Sequence, residues 1–216
     1  AVNELHRDVM HASLATDGVD MDDVGMFEAC EELGFLLEGE REAVAIDELG
    51  ADELEGFIAR VPAHVIVVID EAYFEYVQDG GHPNALNWVP KYANLVVTRT
   101  FSKIYGLAGL RVGYAVSSPE VADVLNRVRQ PFNVNSLALL AAEAALQDRT
   151  HLEKSVAMNT QGLEQLGAGL VQLGLKCIPS VGNFITADMG REATPVYEAL
   201  LREGVIVRPI ANYGMP

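Results

Sequence analysis

The sequence has little of several features that define common classes of protein. Cysteine occurs only twice in 216 residues, as Cys30 and Cys177, and without a CxxC spacing, which argues against a disulfide framework. No apolar run approaches the roughly 20 residues needed to span a bilayer, and the N-terminal residues lack the basic-then-apolar layout of a signal peptide. We therefore expect a soluble protein in the cytoplasm.

Metal-binding and basic residues are also sparse. The five histidines form no HExxH or similar pattern, so no metal site is expected. The 15 basic residues are outnumbered by 31 acidic ones, and a formal charge of −16 disfavours binding to nucleic acid or to an anionic membrane. Residues 1–60 carry 17 of the acidic and 3 of the basic residues, so the acidity belongs to one segment.

The apolar residues that are present predict alternating strands and helices. β-branched runs at 64–69, 95–99 and 112–116 are typical of buried strands, the first of them buried on both faces. Amphipathic patterns predict helices at 51–59, 119–129, 134–146, 151–173 and 194–203, and a last strand at 205–209. This order indicates an α/β fold with a mainly parallel sheet flanked by helices. We expect three parts: an acidic, atypical segment at 1–50, a core at 51–150, and a connecting helix with a smaller α+β domain at 151–216.

Polar side chains follow the first two predicted strands. Asp70 and Tyr73 come directly after the first, and Lys103 follows the second. Ligands of open α/β sheets bind at the carboxyl ends of strands. A carboxylate, a phenol and an amine at that edge suit pyridoxal phosphate (PLP): Asp70 would keep the pyridine nitrogen protonated, Tyr73 would donate to the phenolate oxygen, and Lys103 would hold the aldehyde as a Schiff base.

Three further residues suit the phosphate of the same cofactor. Thr100 and Ser102 would supply hydroxyl donors, and Arg111, eight residues past Lys103, a forked cation. Taken singly, each feature has a simpler interpretation: an acid after a strand is commonly a helix cap, a lone lysine is usually solvated, and Gly-x-x-Gly is usually turn chemistry. Their conjunction favours the cofactor site.

The tracts 68–76 (VIDEAYFEY) and 98–114 (TRTFSKIYGLAGLRVGY) resemble those of fold-type I PLP-dependent aminotransferases, in particular the histidinol-phosphate aminotransferase branch and its aromatic relatives. The likeness extends over residues 51–216. It implies the large domain of that fold with part of a small C-terminal domain, a homodimer, and transfer of an amino group between histidinol phosphate, or an aromatic amino acid, and 2-oxoglutarate. It also implies that Lys103 is catalytic and that Arg208 reaches the anionic end of the substrate, although a surface arginine at a strand end is an equal alternative for Arg208.

Three features of that family pattern are not recognisable in this sequence. They are the glycine-rich phosphate loop with its stacking aromatic, the Asn-Pro-x-x-Pro-Thr-Gly loop, and the carboxylate-binding arginine expected beyond residue 216. A second hypothesis is therefore a catalytically impaired or non-catalytic aminotransferase-like fragment or binding module. A decarboxylase of the same fold is a weaker option.

Overall fold

A computed structural model describes residues 50–78 and 82–210. The predicted segment 1–50 lies outside these residues apart from Gly50. Contacts divide the chain into two compact units, one up to Val156 and one from Ala157. In the part of the chain that is described, no helix is both long and apolar enough to cross a membrane.

The first unit alternates helices and strands, as predicted. Its elements are α1 (Ala51–Arg60), β1 (Val67–Asp70), β2 (Leu95–Thr100), β3 (Gly113–Ser117), α2 (Pro119–Val128), α3 (Ser136–Gln147) and the first part of α4 (Arg149–Gln172), with short 3-10 turns at Phe74–Tyr76, Ala85–Trp88 and Ala108–Leu110.

The three strands form one sheet in the order β1-β2-β3. β1 pairs parallel to β2, with Asp70 opposite Thr98, and β2 pairs antiparallel to β3, with Thr100 opposite Gly113. The described sheet is therefore mixed, because the short tract after Thr100 turns the chain straight back. The expectation that the first strand is buried on both faces is wrong in these residues: Val68 is 52% exposed, while alternate residues face the core.

Two apolar clusters hold this unit together. α1 and the turn at Ala85–Trp88 pack on one face of the sheet, where Leu54, Ile58, Leu95 and Val97 are buried. Phe101, at the end of β2, packs with α3 in the second cluster. The second cluster adjoins the carboxyl end of β2, so the residues that follow this strand leave a packed base.

The helix starts follow local capping chemistry. The Ser118 hydroxyl accepts a hydrogen bond from the Val121 N–H at 3.4 Å, and Pro119 occupies the first position of α2. Asn135 Oδ1 accepts one from the Ala138 N–H at 2.8 Å and begins α3. Such caps satisfy backbone donors that a helix leaves free at its first turn.

The second unit contains the rest of α4, the antiparallel pair β4 (Lys176–Ile178) and β5 (Thr186–Asp188), and α5 (Ala193–Arg202). Gly204, with φ of +80°, ends α5 in the left-handed conformation that glycine favours. The predicted strand at 205–209 is wrong: residues 205–210 pair with no described strand, and Val205, Ile206 and Val207 are exposed. A β-branched run becomes a strand only where an edge is available to pair with it.

Candidate functional site

Lys103 and Tyr73 come together at the carboxyl edge of the sheet. The Lys103 amine lies 5.2 Å from the centroid of the Tyr73 ring, within cation–π range, although 30 residues separate the two in sequence. The parallel pairing of β1 and β2 brings them together, because it places the segments that leave both strands at one edge.

Asp70 is the last residue of β1. Its Oδ1 accepts hydrogen bonds from the Ala72 N–H at 3.0 Å and from the Thr98 hydroxyl at 3.4 Å, so the side chain is oriented from two sides. To keep a pyridine nitrogen protonated, a partly buried carboxylate is expected, but Asp70 is exposed in the described residues. The two-residue period of a strand places it on the same open face as Val68.

Of the two hydroxyl residues, Thr100 ends β2 and Ser102 lies in the turn that follows it. Thr100 Oγ1 accepts a hydrogen bond from the Ser102 N–H at 3.1 Å, which holds the two side by side. Arg111 is exposed, has a left-handed backbone with φ of +51°, and donates from Nη1 to the Ala108 carbonyl at 3.2 Å, which leaves most of its forked donors available.

Two glycines shape this turn for different reasons. Gly106 has φ of +71°, which a residue with a side chain rarely adopts. A Cβ on Gly113 would lie 2.8 Å from the Arg99 carbonyl oxygen, so a side chain there would push β3 away from β2 beside Thr100. The geometry of the turn thus depends on both positions.

Arg208 belongs to the second unit, in the segment that forms no strand with the described residues, and it is exposed. Its predicted role at the substrate stays a prediction.

A buried ion pair that the sequence analysis missed joins the carboxyl ends of β1 and β2. Arg99 donates to Glu71 Oε2 from Nε at 2.9 Å and from Nη2 at 2.6 Å, and their side chains are only 10% and 1% exposed. Glu71 Oε1 accepts from the Ala85 N–H at 2.8 Å, and Arg99 Nη2 also donates to Asn84 Oδ1 at 2.8 Å. The Arg99 guanidinium lies 3.9 Å from the centroid of the Phe74 ring.

The one charged residue within the predicted strand was the available signal for this pair, since burial of Arg99 demands a counter-charge. Burial alone would lower the pKa of Arg99, but the hydrogen bonds that it donates to Glu71 help to raise that pKa above its ordinary value, so the guanidinium stays charged. Because Glu71 directly follows Asp70 and Arg99 directly precedes Thr100, the pair ties together the backbone at both candidate binding residues.

A second carboxyl group lies near the same pair. Glu75 is half-buried, and burial raises the pKa of its carboxyl group, with the Glu71 charge acting in the same direction and the Arg99 charge opposing it. Its Oε1 accepts a hydrogen bond from the Tyr105 hydroxyl at 3.5 Å. Burial, and then the charge of Glu75, raises the pKa of Tyr105 as well.

The geometry thus defines an α/β protein with a lysine, a phenol, a carboxylate, hydroxyls and an arginine at or near one edge of its larger sheet. The family model described as "Aminotransferase class I and II" matches residues 48–216. The chain therefore belongs to the class I and II aminotransferase family.

Curated relatives agree with this assignment. Histidinol-phosphate aminotransferase 2 of Pseudomonas fluorescens is 63% identical over 167 residues, which cover 77% of this chain and 45% of the relative. The enzyme of the same name from Methylococcus capsulatus is 61% identical over 168 residues, 78% of this chain and 45% of the relative. The chain thus spans a little under half the length of these relatives.

Solved structures share the fold. The histidinol-phosphate aminotransferase of Sinorhizobium meliloti in complex with pyridoxal-5′-phosphate superposes with a TM-score of 0.70 at 30% identity, over 76% of this chain and 46% of that one. The enzyme of that name from Clostridium acetobutylicum has a TM-score of 0.70 at 21% identity, over 76% and 51% of the two chains. The fold is that of fold-type I aminotransferases, as the sequence predicted.

Proposed function

We propose that the protein is a PLP-dependent aminotransferase acting on histidinol phosphate. The observation that carries the proposal is the placement of Lys103 against the Tyr73 ring, at the sheet edge where Asp70 and Thr100 also lie. The family match supports the reaction class, and the names of the relatives support the substrate. These comparisons do not favour the non-catalytic alternative.

The donor set fits PLP. Asp70 offers a carboxylate for the pyridine nitrogen, and Tyr73 a hydroxyl for the phenolate oxygen. Thr100 and Ser102 would hold the phosphate by their hydroxyls. Arg111 would hold it by its guanidinium, only one of whose donors is used by the Ala108 carbonyl. When bound, PLP supplies an electron sink for negative charge that develops at the substrate α-carbon.

The chain's own residues would carry out the proton transfer and the positioning. Lys103 Nζ is the base that would take the proton from the α-carbon of the amino donor, because it is the amine at this edge. The Tyr73 ring, whose centroid lies 5.2 Å from this amine, would help to orient it. Asp70, held by Ala72 and Thr98, would fix the orientation of the ring nitrogen.

Finer parts of the proposal rest on family resemblance. We propose 2-oxoglutarate as the amino acceptor, Arg208 as a contact for the anionic end of the substrate, a homodimer as the working assembly, and the cytoplasm as the location. Gel filtration with light scattering tests the dimer, and an Arg208→Ala variant with an increased KM for histidinol phosphate would support its contact.

The decisive experiment is an absorption spectrum of the purified chain mixed with PLP, followed by borohydride reduction and peptide mapping. We expect a new visible band and a PLP-labelled peptide that contains Lys103. Lys103→Ala should lose both, whereas Lys154→Ala, which removes an exposed lysine on α4, should retain them. A wild-type chain that stays colourless and unlabelled would refute the cofactor assignment. Addition of histidinol phosphate should then change the spectrum of the loaded protein, and phenylalanine should not.

A further inference from the structure

A cluster of buried and half-buried side chains next to the turn that carries Lys103 contains more acidic groups than cationic ones. We call it the buried acid cluster: it comprises Glu71, Glu75, Arg99, Tyr105 and Tyr114. Arg99 is its one cation among the described residues, and two of the guanidinium nitrogens donate to Glu71. Glu75 therefore has no cation of its own in the cluster, and an ionised buried carboxylate without one is costly.

The hydrogen bonds of Glu75 point the same way. Its Oε2 is buried and finds no hydrogen-bond partner among the described residues, and its Oε1 accepts a long hydrogen bond from the Tyr105 hydroxyl. A backbone hydrogen bond at Glu75 favours the ionised form, but burial acts more strongly in the opposite direction. A buried oxygen without a hydrogen-bond partner costs much more in an ionised carboxylate than in the neutral acid. The geometry thus favours the neutral form of Glu75, in agreement with the raised pKa that burial causes.

Other charged or titratable groups near Glu75 do not reverse this balance. Glu71 adds negative charge and Arg99 opposes it. Tyr76 and Tyr114 are neutral phenols whose pKa burial raises, and the Glu75 charge would raise both further. The Lys103 amine lies against the Tyr73 ring rather than against this carboxyl group.

The position of Glu75 connects the two turns of the proposed site. It lies in the 3-10 turn Phe74–Tyr76, two residues after Tyr73, while Tyr105 lies two residues after Lys103. The Tyr105 ring packs on Phe101, with centroids 5.1 Å apart, and Phe101 is 1% exposed. The contact between Glu75 and Tyr105 therefore joins the segments that carry Tyr73 and Lys103.

We propose that Glu75 is a positioning residue of the site: as a neutral carboxyl group bonded to Tyr105, it holds the turn bearing Lys103 against the turn bearing Tyr73. This inference rests on the proposed function. Glu75 is assigned no contact with cofactor or substrate, and it acts through Tyr105.

The first test measures the rate at which PLP becomes covalently attached to Lys103, trapped with borohydride and located by peptide mass. We expect Glu75→Ala and Tyr105→Phe each to slow attachment about tenfold, the equivalent of one lost hydrogen bond. The double variant should be no slower than either single one. Glu75→Gln, which keeps a neutral acceptor, should stay within about twofold of wild type. Glu153→Gln and Tyr197→Phe are controls at positions outside the cluster.

The second test needs no cofactor. Because the folded pKa of Glu75 is raised above the ordinary value of 4.5, the unfolded chain releases this proton at a lower pH than the folded chain does. The contribution of Glu75 to stability is thus full below that value and falls as pH rises toward the folded pKa. The urea midpoint of wild type should therefore fall relative to that of Glu75→Gln over this range.

The outcomes separate this inference from the proposed function. If wild type attaches PLP and Glu75→Ala attaches it equally fast, the positioning role is overturned and the cofactor assignment stands. If Glu75→Gln attaches PLP as slowly as Glu75→Ala, the assignment of a neutral carboxyl group to Glu75 is overturned. The same follows if the difference in urea midpoint between wild type and Glu75→Gln does not change with pH. If wild type attaches no PLP, both the proposed function and the positioning role are refuted. The urea midpoints then still decide whether the Glu75 carboxyl group is neutral.

Discussion

Replacement of Arg99 by methionine should strongly destabilise the first unit. The variant keeps most of the side-chain volume but leaves Glu71, whose side chain is 1% exposed, without its cation. It also removes the hydrogen bond to Asn84 and the contact with the Phe74 ring. Loss of one partner of a buried ion pair costs about 3–5 kcal/mol, a large share of the roughly 5–15 kcal/mol by which a typical domain is stable.

Chemical denaturation with urea, followed by circular dichroism, measures this loss. The matched control is Arg127→Met, which breaks an ion pair with Asp123 on α2 in which both side chains are 67% exposed. An exposed helical pair of this kind contributes about 0.3–0.5 kcal/mol. Adding Glu71→Gln to Arg99→Met should restore part of the stability, because the uncompensated charge is gone. If Arg99→Met costs no more than Arg127→Met, the account of this pair is wrong.

Two smaller changes test the turn and the helix start. Gly113→Ala places a Cβ 2.8 Å from the Arg99 carbonyl oxygen, so we expect the free energy of unfolding to fall by about 1–3 kcal/mol and PLP binding beside Thr100 to weaken. Gly109→Ala, with open space around its Cβ, should bind PLP as wild type does. Equal effects of the two substitutions would contradict the steric argument. Ser118→Ala removes the cap of α2 and should lower the free energy of unfolding by about 1 kcal/mol in urea denaturation, whereas Ser118→Asp should retain most of it; an unchanged Ser118→Ala would show that the cap contributes nothing.

Local sequence patterns predicted much of the fold. The β-branched run at 95–99 became β2, and the helix predicted at 119–129 became α2, because both patterns depend on residues only a few positions apart. The order of strand, acid, strand and lysine also predicted that the segments after both strands meet at one edge of the sheet, since parallel strands bring their carboxyl ends together. The family resemblance drew on the same tracts.

Long-range contacts decided the rest. Whether 205–209 forms a strand depends on an available edge, and whether β3 runs parallel or antiparallel depends on the turn that precedes it, so neither follows from a run of β-branched residues. The pairing of Arg99 with Glu71, and the burial of Glu75 beside it, join residues that lie 28 and 24 positions apart in the sequence. The sequence by itself determined which side chains we propose for the cofactor site. Tertiary structure decided which carboxyl group pairs with Arg99, because charge pairing in a low-dielectric interior is settled by distance in space.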